Sequence, residues 1–314
     1  MQNSTLSSPL VLRLTFGTIS DFNYVYGVIA LLGFLMIIFS NLIIISTIYL
    51  NQSLHEPMYV FISALCTNGV YGSISFFPSL IVNLFSKSQT ISYAACITQI
   101  FCIHSYVTCE MAMMTVMAYD RYVCICNPLR YAIMMNLTKA FRIIFGMWLY
   151  PFICITVQTL LTMRLPLCDN VILKIYCDNW SVVRLSCIDT TVNNIYGLFL
   201  TVKMLGVMLL LVILSYVKIL KVCAKSKGTL LKAMQTCSPQ LISFAIFVTD
   251  CIFEVILYRL GPTQVTYGLR VAMSLQCLVV PPFLNPLLYG IKMQAIKVRI
   301  LQSFEEKISA KTNL

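Results

Sequence analysis

The sequence predicts an all-α membrane protein, in which seven transmembrane helices form a bundle with the N-terminus outside the cell. The first indication is composition, because 59% of the 314 residues are apolar and only 11% are charged, whereas soluble domains average about 25% charged residues. The second is that the apolar residues gather in seven long blocks with few charges, and about 20 apolar residues cross a bilayer as a helix. The third is an uneven distribution of lysine and arginine between the two sides of these blocks.

The seven blocks set the predicted helix boundaries. A lone strand would leave backbone polar groups unpaired in hydrocarbon, and a β-barrel requires short segments of alternating polarity, so helices are expected. We expect residues 24–291 to form the bundle, residues 1–23 an extracellular N-terminus and residues 292–314 a cytoplasmic tail. The predicted helices are residues 24–50, 57–86, 94–122, 141–163, 195–222, 234–259 and 268–291.

The basic residues orient the bundle. Fourteen of the 22 lysines and arginines lie on the side shared by the segments after the first, third, fifth and seventh blocks, and such an excess marks the cytoplasmic side. The N-terminus is then outside, where Asn3 in Asn3-Ser4-Thr5 is a candidate glycosylation site. A net charge of +11 suggests nucleic acid in a soluble protein. Here the basic residues separate apolar blocks, so the expected partner is membrane lipid and not nucleic acid.

The cytoplasmic tail begins with a short amphipathic pattern between Met293 and Ser303. Apolar and basic residues alternate there at helical spacing, which suits a helix lying on the membrane surface. A short amphipathic helix eight is therefore predicted. Its apolar residues are Ile296, Ile300, Leu301 and Phe304, and its basic residues are Lys297 and Arg299.

Four cysteines are predicted to lie on the extracellular side. Cys96 opens the third helix, and Cys168, Cys177 and Cys187 lie in the longest loop, at about residues 164–194. An oxidising exterior favours disulfides. Four cysteines allow three pairings, and the residues alone leave the choice open.

Two other classes of membrane protein fit the sequence less well. A transporter would be expected to show internal repeats or interrupted helices around a midplane site, and the sequence contains no evident repeat. A membrane enzyme would need a metal cluster or a nucleophile–base pair. The two histidines are isolated from each other, so we expect no enzymatic activity, no cofactor and no resident metal.

Several motifs stand in a fixed order along the chain. The end of the third helix reads Met-Ala-Tyr-Asp-Arg-Tyr-Val-Cys-Ile-Cys-Asn-Pro-Leu-Arg-Tyr, residues 117–131. The other motifs are Leu54-His55-Glu56-Pro57-Met58-Tyr59-Val60-Phe61, Ser215-Tyr216, Lys232-Ala233 with Thr236-Cys237-Ser238, and Pro282-Phe283-Leu284-Asn285-Pro286-Leu287-Leu288-Tyr289. Together they resemble the odorant-receptor family, a branch of the rhodopsin-like G-protein-coupled receptors. The resemblance implies the disulfides Cys96–Cys177 and Cys168–Cys187.

The sequence departs from the family pattern at a few positions. Cys124 stands where the family usually has Ala, and Gln240 where it commonly has His. Helix two carries Asn68-Gly69 where an Asp is common. A complete intramembrane sodium site is therefore not expected, although Glu110 is retained as a candidate sodium contact.

The resemblance assigns a cytoplasmic activation site. Asp120 and Arg121 are expected to form an ion pair that holds the resting state, and the alternative is a snorkelling interfacial arginine. Pro286 is expected to break helix seven, either as a static kink or so that two tyrosines swing toward Arg121. The residues assigned to coupling and activation are Asp120, Arg121, Tyr122, Tyr216, Asn285, Pro286 and Tyr289.

Polar groups in the outer halves of the helices are candidates for ligand binding. Each ionisable residue at the centre of a membrane helix costs about 2.5–3.5 kcal/mol, so it tends to face the bundle interior, and pockets combine apolar walls with few polar anchors. In the alternative interpretation Lys203 and Glu254 neutralise each other, the hydroxyl groups bond to their own helix, and Arg259 is an exposed residue at the rim. The candidates are Phe101, His104, Ser105, Thr108, Lys203, Val207, Phe247, Glu254, Tyr258 and Arg259.

The resemblance implies a receptor in the plasma membrane. We expect a small odorant to bind among helices three, five, six and seven and to favour the active state through its higher affinity for that state. A stimulatory olfactory G protein and a rise in cyclic AMP are the expected output. The alternatives are a non-olfactory rhodopsin-like receptor for another small molecule and a small-solute transporter.

Overall fold

The computed structural model describes residues 11–16, 22–224, 237–238, 240–253 and 266–312. Within these ranges the protein is a bundle of seven membrane helices, as predicted. The helices are α1 (Phe22–Leu50), α2 (Pro57–Phe85), α3 (Tyr93–Cys126), α4 (Leu137–Met163), α5 (Thr191–Cys223), α6 (Gln240–Phe253) and α7 (Tyr267–Lys292).

The burial of the helices identifies α3 as the centre of the bundle. Helices α1 to α5 are each long and apolar enough to cross a membrane. In the most apolar stretch of α3, 72% of the residues are buried, whereas the corresponding share is 17% in α1, α4 and α5. The outer helices expose large apolar side chains such as Phe39 and Phe145. Such a surface suits hydrocarbon, because lipid tails are as apolar as the side chains themselves.

Short helical turns and side-chain caps delimit the helices. The hydroxyl of Ser92 accepts a hydrogen bond from the Ala95 amide at the start of α3, and the side-chain oxygen of Asn136 accepts one from the Lys139 amide at the start of α4. Capping of this kind satisfies amides that have no partner within the helix. On the cytoplasmic side, a 3-10 turn (Gln52–Leu54) joins α1 to α2, and a second turn (Pro128–Arg130) with a short helix (Tyr131–Met134) joins α3 to α4.

A small sheet lies on the extracellular side. Strand β1 (Val11–Leu14) lies between β2 (Thr90–Ser92), to which it is antiparallel, and β3 (Val171–Ile172), to which it is parallel. The Thr15 hydroxyl also donates to the Ile172 carbonyl over 2.8 Å. The sheet joins the N-terminal segment to the long loop after α4. We did not predict it, because strands of two to four residues are too short to show the alternation that identifies a strand.

The last helix, α8 (Gln294–Thr312), follows α7 after a break at Met293. It is longer than the predicted span, which ended at Ser303. Ile296 is fully buried, and Ile300 packs against the same hydrophobic cluster of the cytoplasmic half. The apolar face predicted for helix eight therefore packs partly on protein.

Candidate functional site

A cavity of about 240 Å³ opens in the outer half of the bundle, beneath the loop after α4. Ligand pockets are commonly about 300–1,000 Å³, so this cavity suits a small molecule. Its walls are mostly apolar and come from α3, α4, α5, α6 and α7. They include Ile103, Val107, Met111, Ile155, Leu200, Met204, Leu205 and Leu278.

Five polar side chains from the membrane helices line the cavity: His104, Thr108, Gln158, Asn193 and Thr201. The Nδ1 atom of His104 lies 3.0 Å from the Ile100 carbonyl oxygen. A carbonyl can only accept, so Nδ1 carries the proton and Nε2 of the neutral ring is left as an acceptor. The Thr108 hydroxyl donates to the His104 carbonyl over 2.8 Å, which leaves its oxygen free to accept. The side-chain amide of Gln158 has no hydrogen-bond partner among the described residues.

The loop after α4 covers the cavity and contains two disulfides, one of which fixes it to the bundle. Cys96–Cys177 joins it to the start of α3, and Cys168–Cys187 closes the loop on itself. These are the pairings that the family resemblance implied. The side-chain carbonyl oxygen of Gln99 accepts a hydrogen bond of 2.9 Å from the Cys177 amide. The loop is therefore held directly above the candidate ligand site.

Asp178 organises the underside of this loop. It lies 3.4 Å from the Lys174 ammonium, and its carboxylate also caps the short helix Asn179–Val183 by accepting from Trp180 N and from both Ser181 N and Oγ. Burial by itself would raise the pKa of Asp178, but Lys174 and Ser181 outweigh that effect and hold the pKa below its ordinary value. Both charged residues line the cavity, and both are already engaged within the loop.

A hydrogen-bonded set of side chains links this loop to two helices. The Thr162 hydroxyl on α4 donates to the Asn179 side-chain oxygen over 2.7 Å, and the Asn193 amide on α5 lies 3.5 Å from the same hydroxyl. Asn179 and Asn193 line the cavity. These hydrogen bonds therefore connect α4, α5 and the loop at the wall of the cavity.

The structure brings two of the predicted ligand contacts, His104 and Thr108, to the cavity. Phe101 packs against Phe152 instead, and the Ser105 hydroxyl bonds to the Phe101 carbonyl and to Tyr71. Ser105 and Thr108 both follow the alternative in which a hydroxyl bonds to its own helix, and Thr108 also lines the cavity.

The remaining predicted ligand contacts lie away from the cavity or outside the described residues. Phe247 is fully buried in the hydrophobic cluster of the cytoplasmic half. Lys203 and Val207 are exposed on the face of α5 that points away from the cavity. Successive residues of a helix are about 100° apart, so neighbouring positions can face opposite sides. Glu254, Tyr258 and Arg259 fall outside the described residues.

The sequence analysis named only two residues that line the cavity, His104 and Thr108, and four of those it missed are informative. Gln158, Trp180 and Asn193 are polar or amphipathic, and Asp178 is charged. Gln158 is a lone amide in an apolar, charge-free block, which was an available signal that it faces the interior. The positions of Asp178 and Trp180 depend on how the loop folds, which hydropathy does not indicate.

A buried carboxylate, Glu110, lies below the cavity and joins three helices. Its two oxygens accept hydrogen bonds of 2.7 Å from the Asn68 amide on α2 and the Asn285 amide on α7. The Ser243 hydroxyl on α6 donates to the Asn285 side-chain oxygen over 2.5 Å. All four side chains are buried. Glu110 is thus the centre of a polar network between α2, α3, α6 and α7.

The surroundings of Glu110 do not fit a sodium site well. A hard cation is held by several oxygen ligands, but both carboxylate oxygens already accept from amides, and Gly69 contributes no side chain. The described residues contain no group of three or more His, Cys, Asp or Glu that could hold a metal ion. The geometry therefore supports a hydrogen-bonding role for Glu110.

The predicted ion pair between Asp120 and Arg121 is not formed. Adjacent residues of a helix do not face each other, and the Asp120 carboxylate instead accepts a hydrogen bond of 2.9 Å from the Tyr131 hydroxyl. The Nε atom of Arg121 is buried and has no hydrogen-bond partner among the described residues. Next to it, the Lys218 ammonium lies 5.1 Å from the centre of the Tyr122 ring. The hydrogen bond of Asp120 is therefore with the loop after α3.

Pro286 interrupts the hydrogen bonding of α7. Because proline has no N–H, the Pro282 carbonyl has no donor within the helix, and the Asn41 amide on α1 donates to it over 2.8 Å. One turn further along, Tyr289 is 1% exposed, and its hydroxyl has no hydrogen-bond partner among the described residues. Tyr216 on α5 is buried in the same cluster. The residues predicted to move on activation are thus packed in the cytoplasmic half.

Comparison with known proteins places these features in one family. A sequence model described as "Olfactory receptor" matches residues 24–307. The chain is 35% identical to human (Homo sapiens) olfactory receptor 51I2 over 267 residues, which cover 84% of this chain and 85% of that protein. It is 33% identical to mouse (Mus musculus) olfactory receptor 4E2 over 277 residues, 88% of each chain. It is 30% identical to human olfactory receptor 51L1 over 305 residues, 96% of each chain.

Proposed function

The chain belongs to the olfactory receptor family, and on that premise we propose that a small odorant binds in the cavity beneath the extracellular loop and activates a stimulatory olfactory G protein, with a rise in cyclic AMP. Members of this family are multi-pass G-protein-coupled receptors of the plasma membrane and not enzymes. Membership in this family implies that the partners are a small ligand and a G protein. The type of G protein and the chemistry of the ligand are the proposed part.

The observation that carries the proposal is the cavity itself. It is small and mostly apolar, and His104 and Thr108 offer acceptors within it. Few polar anchors within apolar walls are typical of small-molecule sites. The disulfide-anchored loop above it excludes bulky ligands. A volatile molecule of moderate size with one polar group suits these walls.

Binding can be transmitted to the cytoplasm through the polar network below the cavity. Met111, which lines the cavity, is adjacent in sequence to Glu110, whose carboxylate bonds to Asn68 and Asn285. A ligand shifts the receptor toward the active state only if it binds that state more tightly. In the proposed active state the hydrogen bond between Asp120 and Tyr131 is broken, and Arg121 contacts the G protein at the cytoplasmic face.

Several assignments made from the sequence remain part of this proposal. Arg259 is proposed as an anchor for acidic ligands, because a guanidinium can bond to a carboxylate through two parallel hydrogen bonds. Glu254 and Tyr258 are proposed as neighbouring contacts, and Asn3 as a glycosylation site. Arg259→Ala should abolish responses to acidic agonists and leave responses to neutral ones.

The test is expression with a cyclic AMP reporter and a panel of amines, carboxylic acids, alcohols and neutral volatiles. At least one compound should give a saturable response that Arg121→Ala removes without lowering the amount of receptor at the cell surface. Lys139→Ala is a matched control, since Lys139 is an exposed cytoplasmic residue that bonds to the Met134 carbonyl. A response through another second messenger, with cyclic AMP unchanged, would overturn the proposed G protein and leave the receptor assignment intact.

A further inference from the structure

The charged side chain of Lys203 lies on the lipid-facing side of the bundle. It lies in α5, and its side chain is exposed, together with Tyr150 of α4 and Phe199 of α5. Ionisable residues in membrane helices almost always face the bundle interior or a water-filled cavity. Lys203 departs from that rule and does not line the cavity. Its position therefore needs an explanation beyond ligand binding.

The side chain of Lys203 is held in a defined place. Its ammonium donates a hydrogen bond of 2.6 Å to the Tyr150 hydroxyl and lies 5.1 Å and 5.7 Å from the centres of the Tyr150 and Phe199 rings. Nearby, the Tyr196 hydroxyl donates to the Cys154 carbonyl over 3.1 Å and joins α5 to α4. The site is thus a preformed polar spot in the groove between two helices.

The depth of Lys203 places the ammonium inside the hydrocarbon. Helix α5 has basic residues near its cytoplasmic end, Lys218 and Lys221, and these mark the inner boundary. A hydrocarbon core of about 30 Å corresponds to about 20 helical residues, which puts the outer boundary near residue 197. Lys203 is then about 9 Å below that boundary at 1.5 Å per residue. A lysine can rise toward the headgroups, but the bond to Tyr150 keeps its ammonium within the membrane.

The described part of the chain supplies no counter-charge for this lysine. Lys203 has no carboxylate within 4.0 Å there, and the acids in the described parts of the membrane helices α1 to α7, Glu110, Asp120 and Asp250, are all buried inside the bundle. A second copy that packed symmetrically on the same groove would bring Lys203 against Lys203, because a two-fold interface uses the same patch on both partners. A carboxylate on the membrane helix of another protein would complete an ion pair with Lys203 at this depth.

We propose that the groove around Lys203 and Tyr150 is a docking surface for a transmembrane helix of another membrane protein, one that carries an Asp or Glu at the same depth in the outer half of the bilayer. Hydrogen bonds and ion pairs between helices are the usual polar contacts in lipid. Tyr150 orients the ammonium, and the ring of Phe199 provides an apolar contact beside it. The partner is a single-span or multi-span protein that assembles with the receptor laterally, independently of odorant.

The proposal can be tested with designed single-span helices of leucine and alanine. One helix carries a single Glu about 9 Å below its outer boundary, a second has Leu at that position, and a third carries Glu in its inner half. Resonance energy transfer is measured between each helix and the full-length chain at matched surface amounts. The first helix should bind about five-fold or more tightly than the other two, a factor expected for one polar contact between membrane helices.

Variants of the chain then assign that contact to Lys203. Lys203→Leu should reduce binding of the first helix to that of the second, and Tyr150→Phe should weaken it partly. A matched control moves the charge, Lys203→Leu with Leu210→Lys, since Leu210 is also exposed on α5 but deeper; it should not restore binding. Lys203→Glu should instead bind a helix that carries Lys at the same depth, which separates loss of the contact from misfolding.

Three results would overturn the proposal. The first is equal binding of the Glu and Leu helices. The second is self-association of the receptor that Lys203→Leu abolishes, which would identify a second copy as the occupant. The third is Lys203-dependent retention of phosphatidylglycerol in native mass spectrometry without any binding of the Glu helix, which would identify a lipid headgroup.

Discussion

The side-chain amide of Asn41 on α1 donates a hydrogen bond of 2.8 Å to the carbonyl of Pro282 on α7. That carbonyl lacks a donor within its own helix because the residue four positions later is Pro286. A second bond, to the Ile37 carbonyl, fixes the same amide on its own helix. One asparagine thus completes the hydrogen bonding of a broken helix and joins the first helix of the bundle to the last.

Asn41→Ala should destabilise the receptor by about 1–3 kcal/mol, the cost of leaving a buried polar group unsatisfied. The melting temperature of the purified receptor in detergent should fall by several degrees. Asn51→Ala is the matched control, because the Asn51 amide bonds only to the Thr47 carbonyl of its own helix and is partly exposed. Equal effects of the two substitutions would contradict a special role for Asn41.

Glu110→Leu should destabilise the receptor more than Glu110→Gln. Leucine removes the carboxylate that accepts from both the Asn68 and Asn285 amides, so that Asn68 keeps only its bond to the Tyr106 carbonyl, whereas glutamine retains one acceptor oxygen. Thermal unfolding measures the order of the two variants. The same measurement in sodium chloride and in choline chloride should give equal melting temperatures for the natural chain, and a sodium-specific rise would show that Glu110 holds a cation after all.

Tyr131→Phe should raise the basal cyclic AMP signal per receptor at the surface. The Tyr131 hydroxyl donates to Asp120. Burial and the nearby Asp120 carboxylate raise the pKa of Tyr131, so the hydroxyl keeps its proton and remains a donor at physiological pH. Phenylalanine removes this resting contact and preserves the ring. Tyr119→Phe serves as the control on the adjacent turn, and a basal signal unchanged in both variants would argue against the contact as a resting restraint.

His104→Phe should lower the potency of an odorant alcohol by about two- to ten-fold, the range expected from one hydrogen bond. The reason is that the Nε2 acceptor is lost while the ring volume is kept. The response to the corresponding hydrocarbon or ether should change much less. Dose–response curves for both compounds provide the comparison, and parallel losses would indicate a change in cavity shape.

Asp178 should make the extracellular loop sensitive to acid only at low pH. Its pKa in the folded protein lies below the ordinary value, because Lys174 and Ser181 outweigh the effect of burial. Its contribution to stability is therefore complete above the unfolded value, about 3.9, and is lost as pH falls through the lower folded value. The difference in melting temperature between the natural chain and Asp178→Asn should be constant from pH 7 to pH 5 and should shrink below about pH 4.

The helices could be predicted because lipid enforces a simple rule. A span must be apolar and of sufficient length, and hydropathy measures both. The observed α3 therefore differs from its prediction by one residue at the start, Tyr93, and by four at the end, Cys126. Hydropathy does not give the rotation of each helix about its own axis, which decides which side chains face the cavity. Lys203 and Met204 are neighbours in sequence, yet only Met204 lines the cavity, and a uniformly apolar helix such as α5 gives no signal of which face is inward.

The contacts of the loops also escaped prediction from sequence. Strand β3 has two residues, and Asp178 lines the cavity only because the Cys96–Cys177 bridge draws its neighbour to α3. The Asp120–Tyr131 hydrogen bond depends on a four-residue helix in the cytoplasmic loop. Such features arise from contacts distant in sequence, for which one chain provides no periodic pattern.

The position of β1 has a consequence for biosynthesis. Arg13 and Leu14 pair with Val171 and Ile172, which leave the ribosome only after four further membrane segments have been made. During that interval the leading segment, strand β1, has no parallel partner and remains unpaired with β3 in the lumen of the endoplasmic reticulum. Completion of the extracellular cap is therefore a late, post-insertion step, and a folding sensor that binds the free leading segment would report on receptors still under assembly.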